Sequence, residues 1–135
     1  MPHDFGQMGL SIKRLQVRHH RAADERLAPL GISLVQWDAL RHLHENPDAS
    51  LHDLAQLTFQ TDQSFGTLAV RLVDRGLIER VPGPGRAVRH RITAKGARVR
   101  VEAQKVLSGV LAETFDRLSA EEQQSFGDLL AKLLD

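Results

Sequence analysis

Seven histidines and eighteen Lys/Arg are the side chains of this 135-residue sequence with the most chemistry to offer. His19-His20, His42 and His44 invite a metal reading first. Zinc needs ligands converging at about 2 Å, with carboxylates or thiolates completing the set. Positions two apart on a helix point in different directions, so His42 and His44 do not ligate from one face. There is no cysteine, which excludes a disulfide framework, a thiolate metal site and a cysteine redox switch. Catalytic signatures are missing as well: no G-x-S-x-G, Walker loop, dinucleotide fingerprint or H-E-x-x-H occurs. Gly83-Pro84-Gly85 lacks the Lys-Ser/Thr and the following helix of a phosphate loop. The expectation is a protein that is not an enzyme and carries neither cofactor nor metal.

The arginines say more. The formal net charge is only +1, but it is unevenly laid out. Residues 71–100 carry nine Lys/Arg against two Asp/Glu, whereas residues 1–70 carry six against eight and residues 101–135 three against seven. A short, strongly basic segment in an otherwise neutral to acidic chain is the footprint of a polyanion binder, although a solvated basic face would have the same composition. Just before and within that segment lie Asp62, Gln63, Ser64, Gly66, Thr67 and Arg71. Short polar side chains near a helix start can reach base edges in a DNA major groove, and the helix end itself favours a phosphate. Taken alone, the same face fits an ordinary helical hairpin with a polar exterior. Arg80, Arg86, Arg89 and Arg91 follow at once. Arg86 sits just past a Gly-Pro-Gly bend, where a projecting loop can place an arginine in the narrow, strongly negative minor groove.

These residues have to be held by particular elements. Phe5, Met8, Ile12, Leu15, Ala22 and Ala23 recur at helical spacing from about Asp4 to Leu27, and Pro29 and Gly31 stop that helix. Ser33 and Gln36 form a capping box for a second helix with an apolar stripe of Leu34, Trp37, Leu40 and Leu43, ended at Asn46-Pro47. Ser50 opens a third helix with Leu51, Leu54, Ala55 and Leu57 facing inward. A polar turn from Thr58 to Thr61 leads into a fourth helix through Phe65, Leu68, Leu72 and Val73 to Gly76. Residues 78–81 and 88–92 alternate with period two and read as strands around the Pro82-Gly83-Pro84-Gly85 bend. Thr93 caps a long fifth helix, and Ser119 with Glu122 boxes a sixth that carries Phe126, Leu129, Leu130, Leu133 and Leu134. The fold class is therefore mainly α with a small β-hairpin: a winged helix-turn-helix with N- and C-terminal dimerisation helices. Residues 1–135 form a single domain. Within it, 1–30 and 94–135 are expected to dimerise, while 33–93 form the DNA-binding lobe with its wing at about 78–92. A two-fold dimer would bury the apolar termini and place two recognition helices one DNA turn apart.

Three segments carry a resemblance: LGISLVQWDALRHL (30–43), LHDLAQLTFQTDQSFGTLAVRLVDRGLIER (51–80) and RHRITAKG (89–96). GLIER followed by a basic wing and an I-T-x-K-G join is the most specific part. The chain resembles the MarR family of bacterial transcription regulators over nearly its whole length. The resemblance implies a homodimeric repressor on a pseudo-palindromic operator, with double-stranded DNA as partner. It implies base readout from Asp62, Gln63, Ser64, Gly66, Thr67 and Arg71, and wing contacts from Arg86 and Arg89. It also implies release by a small aromatic or phenolic effector in a cleft lined by His19, His20, Trp37 and Arg41, although Trp37 lies on an apolar stripe and reads first as core. Two departures stand out. Gly83 and Gly85 replace the Asp that often fixes the wing arginine, and Phe59 stands where many helix-turn-helix turns carry glycine, which implies a slightly different turn. Two other functions compete: a metal-responsive regulator using His19 or His20 with His42 and an acidic residue, and a protein–protein adaptor docking through the wing. With no apolar run of membrane length and no secretory pattern in MPHDFGQMGL, a cytoplasmic location is expected.

Overall fold

A computed structural model describes residues 4–83, 85 and 88–135. Arg86 lies outside the described residues. The elements are α1 (Phe5–Leu27), a 3-10 turn (Ala28–Leu30), α2 (Leu34–Glu45), α3 (Leu51–Leu57), α4 (Asp62–Asp74), β1 (Ile78–Pro82), β2 (Val88–Ile92), α5 (Ala94–Phe115) and α6 (Ala120–Leu134). Each helix after the first starts where a capping residue was expected. Ser33, Ser50 and Ser119 form complete boxes with Gln36, Asp53 and Glu122. Thr61 and Thr93 accept from the amides of Ser64 and Gly96. An added cap tightens the α1–α2 corner, where Asp24 accepts from the Leu34 amide at 2.8 Å.

Packing follows the apolar stripes only in the middle of the chain. Leu27, Leu40, Leu54 and Leu72 are the largest fully buried side chains and join α1, α2, α3 and α4 into one core. α5 adds Ala103 and Leu107 to it. The two ends of the chain behave differently. Phe5, Met8 and Ile12 of α1 are exposed, and so are Leu129, Leu130, Leu133 and Leu134 of α6, which buries no residue in the protomer. α6 is held to α5 by its Phe126 ring, 6.0 Å from that of Phe115.

The hairpin is antiparallel, with Ile78 opposite Ile92, Arg80 opposite His90 and Pro82 opposite Val88. Its base is clamped to the start of α5. The Leu77 carbonyl accepts from the Thr93 amide at 3.1 Å, and the Gly76 carbonyl accepts from the Thr93 hydroxyl at 2.6 Å. The Lys95 ammonium donates to the Arg75 carbonyl at 2.9 Å. Carbonyls left over at the C-terminal end of α4 are thus satisfied by residues that begin the next helix. Gly76, with φ of 72°, makes the turn that aims them there. The chains approach so closely that a Cβ on Gly96 would stand 2.0 Å from the Leu77 carbonyl oxygen. His90 is the other exceptional residue of this region. It is 5 % exposed, and burial followed by the charge of Arg80 pushes its pKa below the ordinary 6.5.

Two stability predictions follow from these contacts. Gly96→Ala forces backbone against backbone, where no side chain can yield. It should cost about 3 kcal/mol and lower Tm by on the order of 10 °C in a thermal melt. The unfolded chain binds a proton at His90 more readily than the folded chain. Stability is therefore unpenalised above the ordinary histidine pKa and lost as pH falls through it toward the depressed folded value. Between pH 7 and pH 5 the Tm of wild type should fall more steeply than that of His90→Leu; parallel profiles would contradict the assignment.

Candidate nucleic-acid interface

α3 and α4 cross at Ala55, whose exposure is 0 %, with Leu54, Phe65 and Leu68 packed around it. The turn between them is made by the backbone. The Gln60 amide donates to the Ala55 carbonyl at 2.8 Å, and the Thr58 hydroxyl donates to the Leu54 carbonyl at 2.7 Å. Phe59 takes the left-handed conformation, φ 57°, and stands 98 % exposed. That conformation costs a residue other than glycine about 1–2 kcal/mol. The turn thus keeps the geometry that glycine favours, with phenylalanine strained into it.

Beyond the turn, α4 buries Phe65, Leu68, Ala69 and Leu72. At 100° per residue the opposite ridge is Gln63, Thr67, Val70 and Asp74, with Gly66 and Arg71 beside it. Gln63, Ser64, Thr67 and Arg71 are exposed as expected, and Gly66 is half-buried. Asp62 and Ser64 sit on the flanks of the ridge. Asp62 is paired: its carboxylate lies 2.9 Å from Nδ1 of His52 on α3, a pair that ties the starts of the two helices together. Neither His52 nor Val70 stood out in the sequence. Val70 looks like any apolar residue of an amphipathic helix, and only its helical angle, opposite Phe65 and Leu72, marks it as outward. His52 needed the distance across the turn.

In the wing, Arg91 pairs with Glu79 across the strands at 2.6 Å. Arg89, half-buried, lines a cavity with Leu43, His44, Pro47 and Asp48. It is also close enough to add positive potential at Asp53, whose carboxyl is held below its ordinary range chiefly by hydrogen bonds from Ser50. Arg89 therefore sits against the corner between α2 and α3. Charge alone could not distinguish that position from a projecting wing tip.

The four residues expected in a ligand cleft fall into two groups. The Arg41 guanidinium lies over the Trp37 ring, 5.4 Å from its centroid, and the Trp37 indole donates to the Arg100 carbonyl on α5 at 3.3 Å. Trp37 is half-buried against the core, in keeping with its place on the apolar stripe. His19 instead bonds Thr114 at 2.9 Å and its ring lies 5.9 Å from that of Phe115, while His20 pairs with Asp24. Among the described residues no hydrogen bond, ion pair or ring contact joins the two groups. Arg100, whose carbonyl takes the Trp37 bond, has its side-chain Nε buried without a hydrogen-bond partner among the described residues. His42 faces Asp38 at 3.5 Å, and no group of three His, Asp or Glu among the described residues is placed to hold a metal. No helix among them is long and apolar enough to cross a membrane.

Comparison with known proteins bears on this arrangement. A family model described as the MarR family matches residues 30–87, which run from the end of the 3-10 turn into the wing. The HTH-type transcriptional repressor Rv2887 of Mycobacterium tuberculosis is 32% identical over 132 residues, covering 96% of this chain and 95% of that protein. The repressor Mb2911 of Mycobacterium bovis matches to the same extent. Among solved structures, the oxidised form of MarR from E. coli superposes with a TM-score of 0.86 at 23% identity, covering 100% of this chain and 97% of that one. The M. tuberculosis Rv2887 protein in complex with DNA gives 0.77 at 28% identity, covering 93% and 95%. Its complex with salicylic acid gives 0.76 at 29% identity, covering 93% and 94%. With a relative 32% identical over nearly its whole length and a strand pair following the helix-turn-helix, the chain belongs to the MarR family of winged helix-turn-helix transcription regulators.

Proposed function

We propose that the protein is a repressor that binds a pseudo-palindromic operator as a homodimer and is released by a small aromatic carboxylate. The observation that carries the DNA reading is the exposed ridge of α4, polar at Gln63 and Thr67, set beside the arginine-rich segment 71–100. Residues 33–93 act as the DNA-binding lobe, with base readout from the α4 ridge and phosphate contacts from Arg71 and the wing. Arg86 is assigned to the wing contact by its sequence position after Gly85. Support for a second copy comes from the exposed Phe5, Met8 and Ile12 of α1 and the leucines of α6, which the protomer leaves in water. Residues 1–30 and 94–135 then form the dimer. Two lobes related by a two-fold axis address half-sites about one helical turn apart. Repression is carried over from the relatives that bear that name, at 32% identity.

The effector reading rests on Trp37, Arg41 and Arg100. An aromatic face, a guanidinium over it that also pairs with Asp38 at 2.8 Å, and a buried guanidinium nitrogen without a partner among the described residues suit a planar aromatic acid better than a neutral ligand. The solved complex of the M. tuberculosis relative with salicylic acid agrees in ligand class. His19 and His20 belong to this proposal only if a second protomer brings their side of α1 nearer.

Duplexes recovered from a random pool by the full-length protein test the proposal. A two-fold symmetric consensus is expected, with affinity falling steeply as salt rises. Arg71→Ala should weaken binding to all sequences and lower the salt slope by about 1, while Gln63→Ala should relax preference at one position per half-site. Sedimentation equilibrium should give a dimer. Failure to retain any duplex at low salt would sink the reading and favour a docking role for the wing.

A further inference from the structure

The outer ridge of α4 is not uniformly polar, and its one aliphatic member lies between the groups assigned to DNA. We propose that Val70 is a specificity-determining residue that reads the C5-methyl group of a thymine, so that each half-site carries an A·T pair opposite it. This rests on the reading of α4 as the recognition helix.

The core does not use Val70. It is 44 % exposed, whereas Phe65, Leu68, Ala69 and Leu72 close the other side of the same helix at 9 % or less. Single exposed apolar residues are common and by themselves mean little. What distinguishes this one is its setting. Helical side chains lean toward the N-terminus, so the valine methyls lie over the turn before it. Gly66 is four residues back, and a Cβ added there would meet nothing within 4 Å. Thr67 flanks the same spot. Its hydroxyl donates to the Gln63 carbonyl at 3.2 Å, which commits the proton to its own helix and leaves the γ-methyl as its apolar offering. Gly66 therefore leaves an open spot on the ridge, and the methyls of Thr67 and Val70 are the apolar groups presented beside it. In a major groove only thymine presents a methyl group to fill it. Gln63 lies about 10 Å away along the helix, roughly three base-pair steps. Its amide, suited to the N6 and N7 of adenine, therefore addresses a different pair.

The test replaces thymines of the recovered duplex one at a time with deoxyuridine, which lacks only that methyl. At one position in each half-site the wild-type protein should lose about fourfold in affinity, the equivalent of one buried methyl. Val70→Ala should bind thymine and uracil duplexes alike, and Val70→Thr, which keeps one methyl at the site, should retain part of the difference. Thermal melts without DNA should show all three proteins equally folded. Loss at no position, or a loss that persists undiminished in Val70→Ala, would overturn the assignment while leaving DNA binding intact. If no duplex is bound at all, the underlying reading falls with it.

Discussion

The contact on which the remaining architecture depends is the approach of Gly96 to the Leu77 carbonyl. It lies where α4 ends, the hairpin begins and the longest helix after it starts. Three of these neighbours share one set of bonds: the Arg75, Gly76 and Leu77 carbonyls are all satisfied by residues 93–95. Without glycine the backbones could not close to that distance, and the carbonyls at the C-terminal end of α4 would need water or another partner. The clamp also fixes direction. α5 leaves it as a helix of 22 residues, about 33 Å long, so a small rotation at Gly96 becomes a large displacement at Phe115 and α6. The same lever works backwards. Whatever holds the far end of α5 sets the attitude of α4, which is how a dimer through the chain ends would set the distance between two reading helices.

That lever gives the Trp37 cluster its leverage. Trp37 and Arg41 are on α2, and Trp37 is hydrogen-bonded to the Arg100 carbonyl, about one turn past the clamp on α5. A ligand held by Arg41 and Arg100 would touch both sides of the α2–α5 packing near its hinge. It could shift the lobe spacing only by as much as it binds one arrangement better than the other. The Arg100 Nε, buried without a partner among the described residues, is one source of such a difference, because a ligand would satisfy it in the arrangement it selects.

Local features of the fold were legible in the sequence because they depend on neighbours three or four residues away. Ser33 with Gln36, Ser50 with Asp53 and Ser119 with Glu122 name their own helices, and the period-two run around Pro82-Gly83 names its hairpin. Features that depend on distant contacts were not. The leucines of α6 read equally as core or as interface in the sequence, and in the structure the protomer leaves them exposed. Four residues of α1 and α2 looked like one cleft, but His19 is turned to Thr114 near the far end of α5, away from Trp37. His90 alternates with arginines in the sequence, which gives no sign that it alone of the strand is buried. Phe59 showed as a departure from glycine. That the backbone would keep φ at 57° and place the ring in solvent was beyond reach of composition.

On the proposed reading, the charge distribution around α4 divides the work of binding. The helix itself carries Asp62 and Asp74 against Arg71, so it is not cationic. Its N-terminus, which would attract a phosphate, already holds the Asp62 carboxylate, and that carboxylate is paired with His52. The positive charge lies after the helix, in residues 75–100. Attraction to the phosphate backbone, which is indifferent to sequence, would then come from Arg71, the wing and the start of α5. The ridge of α4 ahead of Asp74 would be left to discriminate with groups that carry no charge: an amide at Gln63 and methyls at Thr67 and Val70. A cationic recognition helix would grip every sequence. A neutral one adds little to non-specific affinity, so the free energy it does contribute is nearly all specificity. That separation requires the two surfaces to meet the DNA in fixed register, and the close joint at Gly96 is what holds them together.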